Sequence, residues 1–293
     1  MTRWFKSWDE IGFQVLVNFF LLFILIMVFV PLWRVIMMSI TPLGYSTSSS
    51  FGMWVPPGDW SFEAYGQLLT HPSFLRATLV STTIMTVGTT INLLLTVPLA
   101  YVLSVRTLPG RRIIISLIIF TFLFNAGLVP TYLVVSKLGL INKLWAVMLP
   151  TAVSVYNTLV MKSFFEGLPE DLKEAARIDG ASELQVLTKV ILPLSRPILL
   201  TIGLFYAVSH WNEFFTPILY LNDNSLMPLP VLLRNILLAA GVNEYVEYNA
   251  FSSASIESIK AAGVLLTMLP MVLLYPWIQR YFTKGTLTGA VKQ

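Results

Sequence analysis

The stretch from Phe13 to Trp33 reads FQVLVNFFLLFILIMVFVPLW and carries no charge. A bilayer whose hydrocarbon core is about 30 Å thick is crossed by a helix of roughly 20 apolar residues, and this stretch has that length. Arg3 and Lys6 precede it, as in a secretory signal, but the run exceeds the usual signal core of about 7 to 15 residues. No small-residue cleavage site follows it. We therefore predict a retained first transmembrane helix.

Five further windows are apolar and poor in charge, and each is long enough, or nearly so, to cross a bilayer as a helix. They lie at residues 77–105, 113–135, 144–161, 197–221 and 261–278. The chain as a whole is 56% hydrophobic and 12% charged, whereas soluble domains carry about 25% charged residues. The sequence therefore predicts an all-α membrane protein with six transmembrane helices, in a single transmembrane domain over residues 1–293.

The basic residues are distributed unevenly between the two sides of these windows. Of 19 Lys and Arg residues, 13 fall in the N-terminus, the C-terminal tail and the connections at 106–112 and 162–196, and the other 6 fall on the opposite side. Because basic connections stay in the cytoplasm, we predict that both termini and the loop 166–196 are cytoplasmic. On the outer side, residues 226–240 are apolar but short, so we expect an interfacial or re-entrant segment.

Several function classes are excluded by composition. The chain has no cysteine and two histidines, which leaves no disulfide framework, no thiolate metal site and little other metal chemistry. The net charge of +4 collects on one side of the membrane, so nucleic acid is not the expected partner. His210 has no serine motif around it, and residues 285–292 match only part of a phosphate-binding loop. We expect a non-catalytic chain that binds no metal or cofactor itself.

The connection between the fourth and fifth windows is highly charged. Residues 167–193 read GLPEDLKEAARIDGASELQVLTKVILP, and the pattern predicts two short helices. Pro169 suits the first turn of the first helix, and Gly180 ends that helix. Ser182, with Gln185 three residues later, matches a capping box that begins the second helix. The loop is therefore a helix, a glycine corner and a second helix.

Such a hairpin has the features of a docking element. Ala175 and Ala176 would allow close approach of a partner backbone, and Glu174, Arg177 and Asp179 offer charge-assisted contacts around them. An amphipathic hairpin lying on the membrane surface would show the same pattern. The pattern alone leaves both interpretations open.

A family resemblance bears on that choice. The spacing of residues 174–176, Gly180, Val190 and 192–193 resembles the signature loop of permease subunits of bacterial ATP-binding-cassette importers. Val190 departs from the usual isoleucine but keeps a β-branched apolar side chain. Residues 125–132, 211–214 and 284–292 resemble the carbohydrate-uptake branch, and within it permeases for oligosaccharides, including acidic ones such as alginate.

The resemblance implies a fold, a location and partners. The fold would be that of a type I importer permease in the bacterial inner membrane, with Glu174 to Gly180 as a coupling helix on a separate ATPase. The implied partners are a second homologous permease, two ATP-binding subunits that hold ATP and Mg²⁺, and an extracytoplasmic solute-binding protein. The sugar substrate and the pairing of the permeases stay open.

A few polar residues lie inside the apolar windows. Glu213 follows Trp211 and Asn212 in the fifth window, and ionisable residues at membrane depth indicate function. One interpretation is a hydrogen bond between helices or to the partner permease. The other is a wall of the sugar pathway, where Trp211 stacks on a pyranose and Asn212 binds hydroxyls. Asn125 and Asn92 are weaker candidates of the same kind.

Two alternative functions are a non-catalytic assembly scaffold and an ion-coupled secondary transporter. A scaffold would also need a docking loop. A secondary transporter needs ion-coupling charges near the midplane, for which only Glu213 qualifies. Arg234 and Lys260 on the outer side could meet a binding protein or an anionic sugar, or could be solvated loop charges.

Overall fold

The computed structural model describes residues 8–43, 54–239 and 255–289, and every regular element within them is helical. The helices are α1 (Trp8–Ser39), α2 (Glu63–Thr70), α3 (Pro72–Ser104), α4 (Arg111–Leu123), α5 (Leu128–Lys137), α6 (Trp145–Met148), α7 (Val155–Glu166), α8 (Glu170–Ile178), α9 (Glu183–Gln185), α10 (Leu192–Leu194), α11 (Arg196–Asn212), α12 (Phe215–Tyr220), α13 (Leu229–Ala239) and α14 (Ile256–Gly289). A π-helix at Val186–Ile191 joins α9 to α10. The predicted all-α class is confirmed.

Three straight helical stretches are long and apolar enough to cross a bilayer. They are Gly12–Ser39 in α1, Pro72–Ser104 in α3 and Ile256–Pro276 in α14. The first, second and sixth windows predicted from the sequence lie on these helices. The segment around residues 226–240 forms the 11-residue α13, which at 1.5 Å per residue is too short to span.

The third window is bent, not straight. Its helices α4 and α5 meet at 110°, where Gly127 has a φ of 85°. The Asn125 side-chain oxygen accepts a hydrogen bond from the Gly127 amide at 2.8 Å, which stabilises the turn. A residue with this positive φ cannot continue an α-helix, and glycine adopts it without strain, so the apolar window bends here.

The fourth and fifth windows are also interrupted. Between α6 and α7 lie residues 149–154, where Ser154 accepts a hydrogen bond from Asn157 N and so caps α7. The fifth window breaks between Asn212 and Phe215. The segments Glu183–Leu194 and Arg196–Asn212 form a second bent pair, at 86°. By length and composition the described residues hold three spans, or up to five if each bent pair counts as one span, so the predicted six are not confirmed.

The chain divides into two compact units. The first comprises residues 1–71 and 235–268, and the second comprises residues 72–234 and 269–293. Within the first unit, the Ser258 hydroxyl donates to the Thr41 carbonyl at 2.7 Å, and Tyr65 donates to Ser39 Oγ at 2.7 Å. These bonds fix the C-terminal end of α1 beside α2 and the start of α14.

The core of the second unit lies among α3, α7, α11 and the helical connection at 170–194. Its buried members are Val97, Ala100, Tyr101, Met161, Phe165, Val186, Leu187, Ile191, Ile202 and Tyr206. The connection therefore rests on the helical core through an apolar inner face.

Candidate functional site

The charged connection folds as a hairpin, residues 170–194, with its corner at Gly180. α8 begins at Glu170, with Pro169 as its N-cap, one residue before the first turn that the sequence predicts. At its other end, Ala181 N donates to Ala176 O and Gly180 N to Arg177 O, both at 3.0 Å. This pair of bonds is a Schellman motif, which requires the left-handed φ of 82° at Gly180. The predicted glycine corner is confirmed.

The second arm of the hairpin begins with the predicted capping box. Ser182 N donates to Gln185 Oε1 at 2.8 Å, and Ser182 Oγ accepts from Gln185 N at 3.4 Å. Val186–Ile191 then widens into a π-helix. Such π-helical turns occur mostly as short insertions in α-helices and are frequent at functional sites.

Arg177 links the two arms of the hairpin through its ion pair with Glu183. Its Nε donates to Glu183 Oε1 at 2.8 Å, and Nη1 lies 3.8 Å from Glu170 Oε1. The hydrogen bond from Arg177 holds the pKa of the Glu183 carboxyl below its usual value, and the same bond raises the pKa of Arg177. Arg177, which the sequence predicts as a partner contact, thus makes its ion pairs inside its own chain.

The outer face of the hairpin is acidic and apolar. Glu174, Ala175 and Asp179 are exposed, and neither carboxylate forms a hydrogen bond or ion pair with any described residue. Ile178 is 86% exposed and Leu184 is 69% exposed. A hairpin that placed such apolar groups in water would carry a hydrophobic cost, so this face is suited to a partner.

The inner face of the hairpin is anchored. Ala176 is half-buried and packs against the core of the second unit, so it is less open to a partner than Ala175. Lys173 is 3% exposed, and its ammonium donates to Glu170 at 3.0 Å and to the Phe165 carbonyl at 3.5 Å. α8 is therefore attached to the end of α7.

Behind the hairpin, three polar residues of α3 form what we call the polar ladder. Asn92 and Thr96 are four residues apart and lie on one face of the helix, and Tyr101, five residues further along, lies on a different face. Each bonds to another element, as follows. Tyr101 Oη donates to Glu183 Oε2 at 2.6 Å, Thr96 Oγ1 pairs with Tyr206 Oη at 2.8 Å, and Asn92 Oδ1 pairs with His210 Nε2 at 2.7 Å. The ladder joins α3 to the hairpin and to α11.

The side chains around Asn92, at the N-terminal end of the polar ladder, are closely packed. Asn92 Nδ2 donates to the carbonyls of Thr151 and Ala152 at 2.7 and 2.9 Å, so its Oδ1 is left to accept from His210. His210 Nε2 therefore carries the proton. Opposite it, a methyl group on Gly88 would lie 2.6 Å from that nitrogen. Only glycine leaves room for the imidazole.

Sequence reasoning singled out Asn92 but missed its partners and missed Tyr101, Thr96, Tyr206 and Glu183. Many other polar residues occur along α3, so the sequence holds no signal that singles out these positions. Their bonds depend on which helices pack beside α3, and the sequence does not tell this.

The predicted pathway residues lie apart from the hairpin, at breaks in the apolar windows. Trp211 is 2% exposed, so its indole is packed inside the chain and is not open for stacking. Asn212 and Asn125 are exposed. Glu213 accepts from the amides of Phe215 and Thr216 at 3.0 Å each and so caps α12. Their role in a sugar pathway stays a prediction.

No group of three or more potential metal ligands occurs in the described part of the chain. The site is an anchored hairpin with an acidic and apolar outer face, and the carboxylate of Glu183 bonds it to α3.

Residues 76–287 match the family described as the binding-protein-dependent transport system inner membrane component. The chain belongs to this family. Among its relatives in Bacillus subtilis (strain 168), the polygalacturonan/rhamnogalacturonan transport system permease protein YtcP is 38% identical over 282 residues, which cover 96% of this chain and 98% of the relative. Protein LplC is 38% identical over 266 residues, which cover 87% of this chain and 90% of the relative.

The fold is similar to a solved member of the same class. A crystal structure of a bacterial ABC transporter involved in the import of the acidic polysaccharide alginate matches with a TM-score of 0.87 and 31% identity, over 95% of this chain and 99% of that chain. The family and the fold confirm the resemblance to importer permeases that the hairpin sequence indicated.

Proposed function

We propose that this protein is the transmembrane subunit of an ATP-driven importer that carries an oligosaccharide into the cytoplasm, and that the hairpin docks on a separate ATPase. The observation that carries the proposal is the exposed surface of the hairpin, which presents the carboxylates of Glu174 and Asp179 and the apolar side chains of Ile178 and Leu184. A surface with both exposed apolar groups and carboxylates is suited to a groove that has an apolar floor and basic rims.

The proposed topology has six crossings with both termini in the cytoplasm. Six apolar windows and the excess of basic residues on one side support it. The third, fourth and fifth crossings would be interrupted helices, which are tolerated at membrane depth where protein or a water-filled cavity surrounds them. The chain would then be a multi-pass protein of the bacterial inner membrane.

The proposed assembly contains this chain, a second homologous permease, two ATP-binding subunits with ATP and Mg²⁺, and an extracytoplasmic solute-binding protein. ATP-driven closure of the ATPase pair would displace the hairpin and switch the permeases between inward and outward access. The family description, which names binding-protein-dependent transport, supports the need for a binding protein.

We propose acidic oligosaccharides as the substrate class. One relative is described as a polygalacturonan/rhamnogalacturonan transport system permease, and the structural neighbour is described as involved in the import of the acidic polysaccharide alginate. The pathway would pass the breaks at Asn212–Glu213 and Asn125, where interrupted helices present polar groups.

The decisive experiment is uptake by the complex purified from its host and reconstituted in liposomes. With binding protein outside and ATP inside, uptake of labelled oligogalacturonate should require ATP. Glu174→Lys should reduce ATP-dependent uptake at least about tenfold, because it places a cation at a surface suited to a basic rim. The matched control is Glu63→Lys, a charge reversal on α2, which should transport like the wild type.

Three outcomes would overturn parts of this proposal. Uptake driven by a proton gradient without ATP would indicate a secondary transporter. An intact complex that takes up no sugar would indicate a scaffold. Equal uptake of neutral and acidic oligosaccharides, with ATP required, would remove only the substrate class.

A further inference from the structure

The carboxylate of Glu183 joins three elements at one point. Its Oε1 accepts from Arg177 on α8 at 2.8 Å, and its Oε2 accepts from Tyr101 on α3 at 2.6 Å. Glu183 itself begins the second arm of the hairpin. Among the described residues, the Tyr101–Glu183 bond is the one hydrogen bond that links the hairpin to α3.

This bond has the features of a positioning contact. Tyr101 is 4% exposed and its ring lies in the core, so its hydroxyl has little freedom to move. A hydroxyl that donates to a carboxylate makes a short bond, roughly twice as strong as a bond between neutral groups. The carboxylate, in contrast, lies on the exposed arm of the hairpin.

The hairpin is also attached to the rest of the second unit by one bond from Lys173 and by apolar contacts, which differ in kind from the bond at Tyr101. Lys173 holds α8 to the Phe165 carbonyl of α7. Val186, Leu187 and Ile191 contribute apolar surface to the core, and apolar contact is non-directional, so it resists separation more than sliding. The bond at Tyr101 adds a directional constraint between the hairpin and α3.

Nearer the N-terminus of α3, the other two bonds of the polar ladder link α3 to α11. The Thr96–Tyr206 and Asn92–His210 bonds join α3 to α11 at 2.8 and 2.7 Å. Tyr206 and His210 are four residues apart and therefore lie on one face of α11. A displacement of α3 is thus carried to α11 by two further bonds.

We propose that Tyr101 is a positioning residue for transport, whose hydroxyl transmits movement of the hairpin to α3 through Glu183. The proposal rests on the ATPase docking proposed above, and it identifies the point where the docked hairpin engages the membrane helices. Tyr101 contacts neither ATP nor sugar in this role. It sets how much transport each ATP yields.

The test compares sugar molecules imported per ATP hydrolysed by the reconstituted complex. Tyr101→Phe removes the hydroxyl and keeps the buried ring. We expect the ratio of transported sugar to ATP to fall about tenfold, the factor that corresponds to one charge-assisted hydrogen bond. The matched control is Tyr156→Phe, which removes a hydroxyl from an exposed tyrosine on α7 and should leave the ratio unchanged.

A second variant tests the same bond from the exposed side. Glu183→Ala removes the acceptor without altering the core, and because it also removes the partner of Arg177, it should lower the ratio at least as much as Tyr101→Phe does. In the Glu183→Ala background, Tyr101→Phe should cause no further loss, because the bond is already absent.

The outcomes separate this inference from the proposed function. If the wild-type complex imports sugar with ATP but Tyr101→Phe transports with an unchanged ratio, the positioning role is wrong and the importer assignment stands. If Tyr101→Phe lowers the ratio of sugar to ATP equally in the wild-type and Glu183→Ala backgrounds, the positioning role is also wrong. A wild-type complex without ATP-dependent uptake would overturn both proposals.

Discussion

At the scale of single residues, Gly88 and His210 show how closely α3 and α11 approach. His210 is buried, and its imidazole lies over the bare α-carbon of Gly88 while it donates to Asn92. The apolar context makes that hydrogen bond valuable, since an amide oxygen without a partner costs free energy in a dry interior. Gly88 permits the bond between His210 and Asn92 because it has no side chain.

We predict that Gly88→Ala destabilises the protein. The added methyl would lie 2.6 Å from His210 Nε2, so the imidazole must shift and its bond to Asn92 breaks. Overpacking of this kind costs about 1–3 kcal/mol. Thermal unfolding of the purified protein in detergent, followed by tryptophan fluorescence, should show a lower midpoint.

Gly203→Ala is the matched control, because a methyl there would meet Leu93 Cδ1 at the ordinary contact distance of 3.4 Å. Equal unfolding midpoints for the Gly88→Ala and Gly203→Ala variants would contradict the predicted clash.

At the scale of elements, the hairpin is built from local rules. Its Schellman motif at Gly180 and its capping box at Ser182 each satisfy backbone groups that helix ends leave unpaired. The ion pairs of Arg177 add little stability, since Glu183 is largely exposed. The pair with Glu183 links the two arms beside the surface that we propose for docking.

We predict that Gly180→Ala weakens ATPase coupling more than Gly167→Ala does. Gly180 has a φ of 82°, which costs a residue with a β-carbon about 1–2 kcal/mol, although nothing lies within 4 Å of the added methyl. Gly167 lies in the same loop at a φ of −80°, where alanine is unstrained.

The measurement is ATPase activity stimulated by binding protein and sugar in the reconstituted complex. Gly180→Ala should reduce the stimulation several-fold and Gly167→Ala should not. The same stimulation in both variants would show that the corner geometry is unimportant for docking.

At the scale of the whole molecule, the structure and the sequence describe the membrane passage differently. The apolar windows predict six transmembrane helices, but three of the windows are broken, at Gly127, at residues 149–154 and at residues 213–214. Hydropathy reports the depth at which a segment lies and not whether its backbone is continuous.

We predict a cytoplasmic hairpin and an external loop at residues 222–228. Because the chain has no cysteine, single substitutions report topology without background. Asn224→Cys should react with a membrane-impermeant maleimide in intact spheroplasts. Asp171→Cys should react only after the membrane is permeabilised. The reverse pattern would invert the orientation, and labelling of both in intact spheroplasts would contradict a membrane between them.

The sequence by itself determined the helical membrane class, the number of apolar windows, the hairpin and its two caps, and the family. Hydropathy, glycine corners and capping boxes are local, so residues close in the chain encode them completely. Only the tertiary structure decided that Arg177 binds Glu183, that Trp211 is buried, and that Tyr101 is bonded to the hairpin. The Tyr101–Glu183 bond joins residues 82 positions apart, and only the packing of α3 beside the hairpin brings the two side chains within reach.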